Sequence, residues 1–227
     1  MPAFRRDKVE KQFAVIGLGR FGTSVCQELY AMGHDVLAID RSEEKVEFAS
    51  DYATKAIVAN GVDERTLKAL GIRNFDYVVV AIGEHIQESV LATLLLKELG
   101  VANVWVKASN AKHYRILEKV GADRIIRPEH EMGIRIAHLL DSTKVIDYIE
   151  LSDEHSIVEL AATEKIANKT IAQLNIRKKY HCTLIGYKRN GQLNIHLSPE
   201  EVIYENDLLI LAGENSDLKR FEKKGLS

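Results

Sequence analysis

The chain has 227 residues, with 31 basic and 33 acidic side chains and a formal net charge of −2, so no strong field points to nucleic acid as its main partner. Its longest apolar run, residues 78–82, is too short to cross a membrane, and residues 1–8 lack the apolar core of a signal peptide. Cys26 and Cys182 form no C-x-x-C pair, which argues against a disulfide framework or a zinc site. We therefore expect a cytoplasmic protein that meets a membrane only through a partner.

Apolar runs alternate with amphipathic stretches through the first 140 residues. The runs predict strands at 13–17, 35–40, 55–59, 76–81, 103–107 and 124–127. Helices are predicted at 20–32, 43–51, 63–70, 84–98, 111–119 and 128–140. Repeated strand–helix units with continuously apolar strands predict an α/β domain with a Rossmann-like, doubly wound parallel sheet.

Two details of this half can be checked against packing. In the fourth helix, apolar spacing predicts one wide buried face made of Val90, Leu91, Leu94, Leu95 and Leu99. The histidines of the predicted helices are expected on the helix surfaces; they are His85, His113, His130 and His138.

After residue 140 the pattern changes, and residues 141–154 are predicted to link the first domain (1–140) to a second (155–227). Strands are predicted at 145–151, 156–162, 182–189 and 208–212, with a weaker one at 192–197. Asn190-Gly191 predicts a hairpin turn, and helices are predicted at 165–176 and 216–224. These elements indicate a small α+β domain near the lower size limit for folding alone, so pairing with a second copy is expected.

A dinucleotide-binding fingerprint begins at the first predicted strand. Gly17, Gly19 and Gly22 follow that strand in G-x-G-x-x-G spacing, and Asp40 ends the second strand. The glycines allow a tight turn, close approach to a pyrophosphate and helix–sheet packing, while the acid accepts hydrogen bonds from ribose hydroxyls. Strand, glycines, helix, strand and acid in this order predict nucleotide binding.

A nucleotide fingerprint is shared by dehydrogenases, so an NAD-dependent oxidoreductase is an alternative. His155, His181 and His196 in the second half form no recognisable catalytic constellation, which disfavours an enzyme. Arg20, directly after the second glycine, suits an added phosphate charge or is an exposed helix residue. A nucleotide-sensing transcription factor is a third alternative, but no helix-turn-helix or basic patch is evident.

Several motifs together resemble the KTN/RCK domain family. They are Val15–Gly22, Asp40, Asn60–Asp63, Val79–Gly83, Val106–Ala108 and Gly121–Glu129. The stretches Asn175–Tyr180, Ser198-Pro199 and Asn206–Gly213 resemble the RCK C-terminal domain. The match spans about residues 12–222, and a two-domain RCK chain resembles the cytosolic gating subunits of Ktr-type bacterial potassium uptake systems.

The resemblance implies a regulator and not a catalyst. It implies dimers that assemble into an octameric ring on the cytoplasmic face of a Ktr- or Trk-type membrane potassium channel subunit. It also implies binding of ATP, ADP and NAD(H), with Mg or another cation accompanying ATP, and of cyclic di-AMP at the C-terminal domain.

The resemblance also implies site residues. Those expected to bind the nucleotide are Gly17, Gly19, Arg20, Phe21, Gly22, Asp40, Arg41, Asn60, Asp63, Ala81 and Glu129. Within this set Arg20 meets the terminal phosphates, and Glu129 is linked to the metal.

In the C-terminal domain the residues expected at a cyclic dinucleotide are Asn175, Ile176, Arg177 and Pro199. Many relatives have a glycine after the Arg-x-Lys-Tyr stretch, where this chain has His181, so a different local turn is expected there.

Overall fold

Residues 11–142 and 144–226 are described by a computed structural model. They form two compact units, an N-terminal unit that ends at Glu129 and a C-terminal unit that begins at His130. No helix of the described residues is long and apolar enough to cross a membrane.

The N-terminal unit alternates strands and helices as predicted. The strands are β1 (Gln12–Ile16), β2 (Asp35–Asp40), β3 (Lys55–Val58), β4 (Tyr77–Val80), β5 (Val104–Lys107) and β6 (Arg124–Ile126). The helices are α1 (Arg20–Ala31), α2 (Glu43–Ala49), α3 (Glu64–Ala69), α4 (Ile86–Glu98) and α5 (Ala111–Val120), and α6 (Pro128–Asp141) runs on into the C-terminal unit. All strand pairs are parallel, in the order β3-β2-β1-β4-β5-β6, so the predicted doubly wound sheet is confirmed.

Strand β1 lies between β2 and β4, and the strand order reverses between β1 and β4. Its residues Ala14, Val15 and Ile16 are buried because helices cover both faces of the sheet. The turn after β1 therefore emerges at the switch point, where ligands of doubly wound folds bind.

The prediction for the buried face of α4 was right for Val90, Leu95 and Leu99, which pack against the core, and wrong for the other two leucines. Leu91 and Leu94 are 43% and 39% exposed, whereas Ser89 and Thr93 are fully buried. The Thr93 hydroxyl donates to the carbonyl of Ser89 at 2.7 Å, which satisfies it inside the helix. Apolar residues lie on several sides of this helix, so periodicity alone could not identify its inner face.

The prediction that His113 lies on a helix surface was also wrong, since its side chain is fully buried. His113 Nδ1 accepts a hydrogen bond from the N–H of Ser109 at 3.2 Å, and Ser109 Oγ donates to the carbonyl of Gly83. His113 Nε2 finds no partner in the described part of the chain. Ser109 thus connects the His113 ring with the loop after β4, at the carboxyl edge of the sheet. Of the other three histidines predicted on helix surfaces, His85 and His130 are exposed as expected. His138 is half-buried, and its ring stacks on that of Tyr148.

The C-terminal unit contains an antiparallel five-stranded sheet. Its elements are β7 (Val145–Glu150), β8 (His155–Ala161), β9 (Lys169–Thr170), α7 (Ile171–Leu174), α8 (Ile176–Tyr180), β10 (Thr183–Arg189), β11 (Gln192–Asn194), β12 (Val202–Ile203), β13 (Leu208–Glu214) and α9 (Asn215–Arg220). The sheet order is β11-β10-β13-β8-β7, and β9 pairs separately with β12. A π-helical turn at Phe221–Gly225 follows α9. Asn190 and Gly191 both have positive φ, which confirms the predicted hairpin between β10 and β11.

Two predictions in this half need correction. Residues 165–176 do not form one helix, since Lys169–Thr170 is a strand and two short helices follow it. Asn175, with φ 45°, takes the left-handed conformation that separates α7 from α8. Strand β7, within the stretch predicted as a linker, pairs with β8 and is an edge strand of the sheet.

A buried ion pair connects β10 to the turn before β13. Asp207 is 3% exposed and accepts from Arg189 Nε at 2.9 Å and Arg189 Nη2 at 2.7 Å. The guanidinium also lies over the rings of Tyr187 and Tyr204. Burial raises the pKa of Asp207, but the bonds from Arg189 and the Tyr204 N–H outweigh it and hold that pKa below its usual range.

We expect His113 to make the stability of the N-terminal unit pH-dependent. Burial lowers the pKa of His113, so the folded chain keeps the ring neutral while the unfolded chain binds a proton below about pH 6.5. The stabilisation is therefore complete above about pH 6.5 and is lost as the pH falls toward the lower folded pKa. Urea unfolding followed by fluorescence of Trp105 on β5 should show lower stability at pH 5 than at pH 7.5.

The matched comparison is His113→Asn against His130→Asn, since His130 is exposed. His113→Asn should flatten the pH dependence and His130→Asn should keep it. Equal pH dependence in the two variants would contradict this assignment.

Candidate functional site

The glycine turn between β1 and α1 is held by close backbone packing. Gly17 has φ 98°, and its N–H donates to the carbonyl of Ile39 on β2 at 2.8 Å. A Cβ on Gly22 would lie 1.9 Å from the Gly17 carbonyl oxygen and 3.1 Å from Ala81 Cβ, so no larger residue fits. A Cβ on Gly19 would meet nothing within 4 Å, which leaves open space where a ligand can approach the backbone.

Asp40 lies beside this turn, as the fingerprint predicts. Its Oδ2 accepts from the N–H of Leu18 at 2.7 Å, and its Oδ1 accepts from the N–H of Ser42 at 2.9 Å. Only 14% of the side chain is exposed, and Lys45 Nζ is 4.0 Å away. The carboxylate thus braces the glycine turn, and each oxygen keeps a further lone pair for a ligand hydroxyl.

A cavity of about 160 Å³ opens next to Asp40, between the ends of β1, β2 and β3 and the start of α4. Four predicted residues line it: Gly17, Asp40, Arg41 and Asn60. Arg41 forms an ion pair with Glu88 of α4, and both side chains belong to the lining. The fold therefore brings four of the residues predicted to bind the nucleotide to one cavity.

A charged cluster lies on the other side of the glycine turn. Lys107, at the end of β5, donates from Nζ to Glu129 Oε1, and the same Nζ lies 5.7 Å from the ring centroid of Phe21. Arg20, the exposed first residue of α1, contributes a further positive charge near Glu129. This cluster brings three predicted residues, Arg20, Phe21 and Glu129, to the N-terminal end of α1, which carries the positive end of the helix dipole.

Glu129 is kept ionised by its neighbours. The hydrogen bond from Lys107 is the main cause that holds the pKa of Glu129 below its usual range, and the charge of Arg20 adds to it. The described residues contain no group of three or more His, Cys, Asp or Glu side chains that could hold a metal ion. Glu129 would thus supply one carboxylate to Mg²⁺, which normally takes its other ligands from phosphates and water.

Sequence reasoning missed Lys107 as a site residue. Its side chain is only 14% exposed, and its Nζ would lie 3.5 Å from a Cβ on Gly83. The available signal was a charged residue closing an apolar strand, because strand ends meet at the binding edge of a parallel sheet.

The remaining residues predicted to bind the nucleotide make hydrogen bonds within the fold. Asp63 caps α3, accepting from the N–H of Arg65 and the hydroxyl of Thr66, and the latter bond is the main cause that lowers its pKa. Asp63 does not line the cavity, whereas Asn60 does and accepts from the N–H of Val62. Ala81 is buried below the glycine turn and donates its N–H to Ile16 at 2.7 Å.

The candidates in the C-terminal unit are only partly brought together. Asn175 and Arg177 are exposed, but Ile176 is a core residue at 5% exposure. The Pro199 carbonyl accepts from the N–H of Ala172 at 2.9 Å, so Pro199 lies next to α7. His181 has φ 60°, a conformation that glycine adopts easily, so histidine here still forms a left-handed turn after α8.

Known proteins match the chain along both units. The family models of the TrkA-N domain and the TrkA-C domain match residues 13–128 and 155–224. The chain is 56% identical to the Ktr system potassium uptake protein A of Bacillus subtilis (strain 168), over 95% of this chain and 97% of that protein. It is 48% identical to the Ktr system potassium uptake protein C of the same strain, over 96% and 99% of the two chains.

A solved structure shares the fold. The GsuK channel bound to NAD superposes with a TM-score of 0.66 over 93% of this chain and 39% of that chain. At 19% identity this likeness concerns the fold alone.

We expect Gly22→Ala to destabilise the N-terminal unit much more than Gly19→Ala does. Gly22→Ala should lower the free energy of unfolding of the N-terminal unit by about 3 kcal/mol, because its Cβ would overlap the Gly17 carbonyl. Gly19→Ala should lower it by no more than about 1 kcal/mol, since φ is −71° and the space is open, and only the preference for glycine over alanine at the N-cap is lost. Urea unfolding followed by Trp105 fluorescence measures both.

Gly19→Ala should nevertheless impair nucleotide binding, because its methyl group occupies the space that a pyrophosphate needs. Normal nucleotide affinity in a folded Gly19→Ala variant would refute this position for the phosphates.

Proposed function

The chain belongs to the KTN/RCK family of proteins with TrkA-N and TrkA-C domains, and from this premise we propose that it is the nucleotide-binding subunit that gates a membrane potassium uptake channel. The observation that carries the proposal is the 56% identity, along nearly the whole of both chains, to a protein named for potassium uptake. Both domains match in the same order, so the proposal concerns the whole chain and not a shared nucleotide fold.

The arrangement of the site supports binding of adenine nucleotides. Asp40 and the cavity beside it suit a ribose, while the start of α1 offers unpaired backbone N–H groups to phosphates. Arg20 and Lys107 add two cations where the last phosphate of ATP would extend, and Glu129 offers a carboxylate for an accompanying Mg²⁺. ATP and ADP differ by that last phosphate and its charge, so this cluster is placed to discriminate between them.

Discrimination becomes gating when two shapes of the assembly bind the nucleotides unequally. A ligand shifts a conformational equilibrium only by its difference in affinity for the two states. In the proposal the chain forms dimers that build an octameric ring, ATP favours one ring shape and ADP another, and the ring passes the change to the channel subunit. The protein would act at the inner face of the cell membrane, attached through that subunit.

Potassium flux is the direct test of this function. The protein is added to vesicles that contain a Ktr-type membrane subunit, and potassium entry is followed with ATP and then with ADP. A flux that differs between the two nucleotides supports gating. Equal flux with and without the protein, together with turnover of a hydroxy or keto substrate with NADH, would favour the oxidoreductase alternative.

We expect Arg20→Ala to weaken ATP binding more than ADP binding. Losing one charge-assisted hydrogen bond to the terminal phosphate costs about 1.5–3 kcal/mol, so the ATP/ADP affinity ratio should fall about tenfold or more. Calorimetric titration with ATP, ADP and NADH, each with and without Mg²⁺, measures this.

The matched control is Arg115→Ala, which removes an exposed arginine from α5. It should leave the ratio unchanged. An Arg20→Ala variant that loses ATP and ADP affinity equally would show that Arg20 does not recognise the terminal phosphate.

For the C-terminal domain we propose cyclic di-AMP as an inhibitory ligand, with Arg177 as a phosphate donor. Arg177→Ala should weaken cyclic di-AMP binding about tenfold, for the same energetic reason as Arg20. Asp40→Ala should leave it intact, because Asp40 belongs to the N-terminal unit. Calorimetric titration of the full chain with cyclic di-AMP tests this, with the neighbouring Lys178→Ala as control. A loss of affinity in Asp40→Ala would indicate that the ligand binds the N-terminal unit and would contradict the proposal.

A further inference from the structure

The C-terminal unit contains a large cavity that the proposed function does not use. Its volume is about 560 Å³, which lies in the range of small-molecule sites. It is formed by the turn before β9, the two short helices α7 and α8, and the π-helical turn after α9. Asn175, Arg177 and Pro199 do not belong to its lining, so it differs from the cyclic dinucleotide candidate, although Ile176 belongs to both.

The floor of this cavity is apolar. Ile166, Leu174, Ile176 and Phe221 are each at most 6% exposed and line it from below. The half-buried ring of Tyr180 lies edge-on to Phe221, with centroids 5.1 Å apart. Such a floor favours a flat apolar or aromatic group, because burying both surfaces removes apolar area from water.

The rim of the cavity is cationic. Lys165, Lys169 and Lys179 line it, and the described lining contains no Asp or Glu. Lys165 Nζ donates to the carbonyl of Lys224 at 2.8 Å, and Lys169 Nζ donates to the carbonyl of Lys165 at 2.7 Å. A carbonyl acceptor orients the Lys169 ammonium without cancelling its charge, and that ammonium has two further N–H donors.

The helix α8 presents different residues on its two sides. Ile176, Lys179 and Tyr180 follow three- and four-residue spacing and all line the cavity. Arg177 and Lys178 lie between them in sequence and are exposed outside the lining. Lys178 therefore provides an internal comparison for Lys179, with the same chemistry one residue away.

We propose that this cavity binds a phosphate monoester with an aromatic body, of the size of a nucleoside monophosphate. The aromatic body lies on the floor formed by Ile166, Ile176 and Phe221. The phosphate contacts Lys169 and Lys179, since lysines bind phosphate as concentrated point charges. The C-terminal unit would then hold an anion site of its own, independent of the glycine turn in the N-terminal unit.

Affinity labelling of the full chain tests the proposal. The probe is pyridoxal 5′-phosphate, an aromatic phosphate monoester whose aldehyde condenses with a lysine Nζ and releases water. Borohydride then reduces the imine to a stable amine, and peptide mapping identifies the labelled lysine. We expect Lys179 to be labelled about tenfold more than Lys178, as a preference of about 1.4 kcal/mol would give. Equal labelling of the two would overturn the proposal.

Competition identifies the ligand class. AMP should protect Lys179 and leave Lys178 unchanged, and inorganic phosphate should protect only at much higher concentration. Protection by phosphate equal to that by AMP would refute the aromatic body. Better protection by cyclic di-AMP than by AMP would make the cavity part of the cyclic dinucleotide site and refute its independence.

A variant at a second lysine of the rim completes the test. Lys169→Gln should raise the AMP concentration needed to protect Lys179 about tenfold, because one charge-assisted contact is lost. Lys178→Gln should have no effect on that concentration, and an equal effect of the two variants would overturn the site. Because labelling is measured at Lys179 itself, the result does not depend on nucleotide binding in the N-terminal unit. Failure of this proposal and failure of the gating proposal are therefore distinguishable.

Discussion

The contact between α1 and the glycine turn is the constraint on which the nucleotide site depends. A hydrogen atom is the only side chain that fits at Gly22, because a Cβ would overlap the Gly17 carbonyl. That contact places the first turn of α1 directly beyond β1, at the point where the strand order reverses. Asp40 secures the same turn from β2 through the N–H of Leu18. Unpaired backbone N–H groups, a carboxylate and open space at Gly19 consequently meet at one edge of the sheet.

The residues around this turn divide into two sides with different chemistry. On one side lies Asp40 with the cavity beside it, and the ion pair of Arg41 and Glu88 forms part of the lining of that cavity. On the other side Lys107 and Glu129 form a charged cluster near the start of α1. Under the proposed function, a nucleotide that spans the turn would place its ribose at the first side and its phosphates at the second.

The C-terminal unit is stabilised by other means than the N-terminal unit. Its sheet is antiparallel, and a buried pair of Arg189 and Asp207 fixes the turn before β13. Left-handed residues such as Asn175 and His181 divide the segment after β9 into two very short helices. Short helices bury little surface themselves, so this segment leaves both a cavity and an exposed basic side on α8.

In the N-terminal unit, the sequence by itself determined the order of strands and helices, the parallel sheet and the position of the glycine turn. These features depend on local patterns: continuous apolar strands, glycine spacing and an acid at a strand end. It did not determine which side of α4 is buried, because apolar residues surround that helix and the buried Thr93 hydroxyl bonds to the Ser89 carbonyl within it. The burial of His113 and the contact of Lys107 with Glu129 were not predicted, because segments distant in sequence make them. Whether a side chain is a core residue, a brace or a ligand contact depends on neighbours that only the tertiary structure brings within a few ångströms.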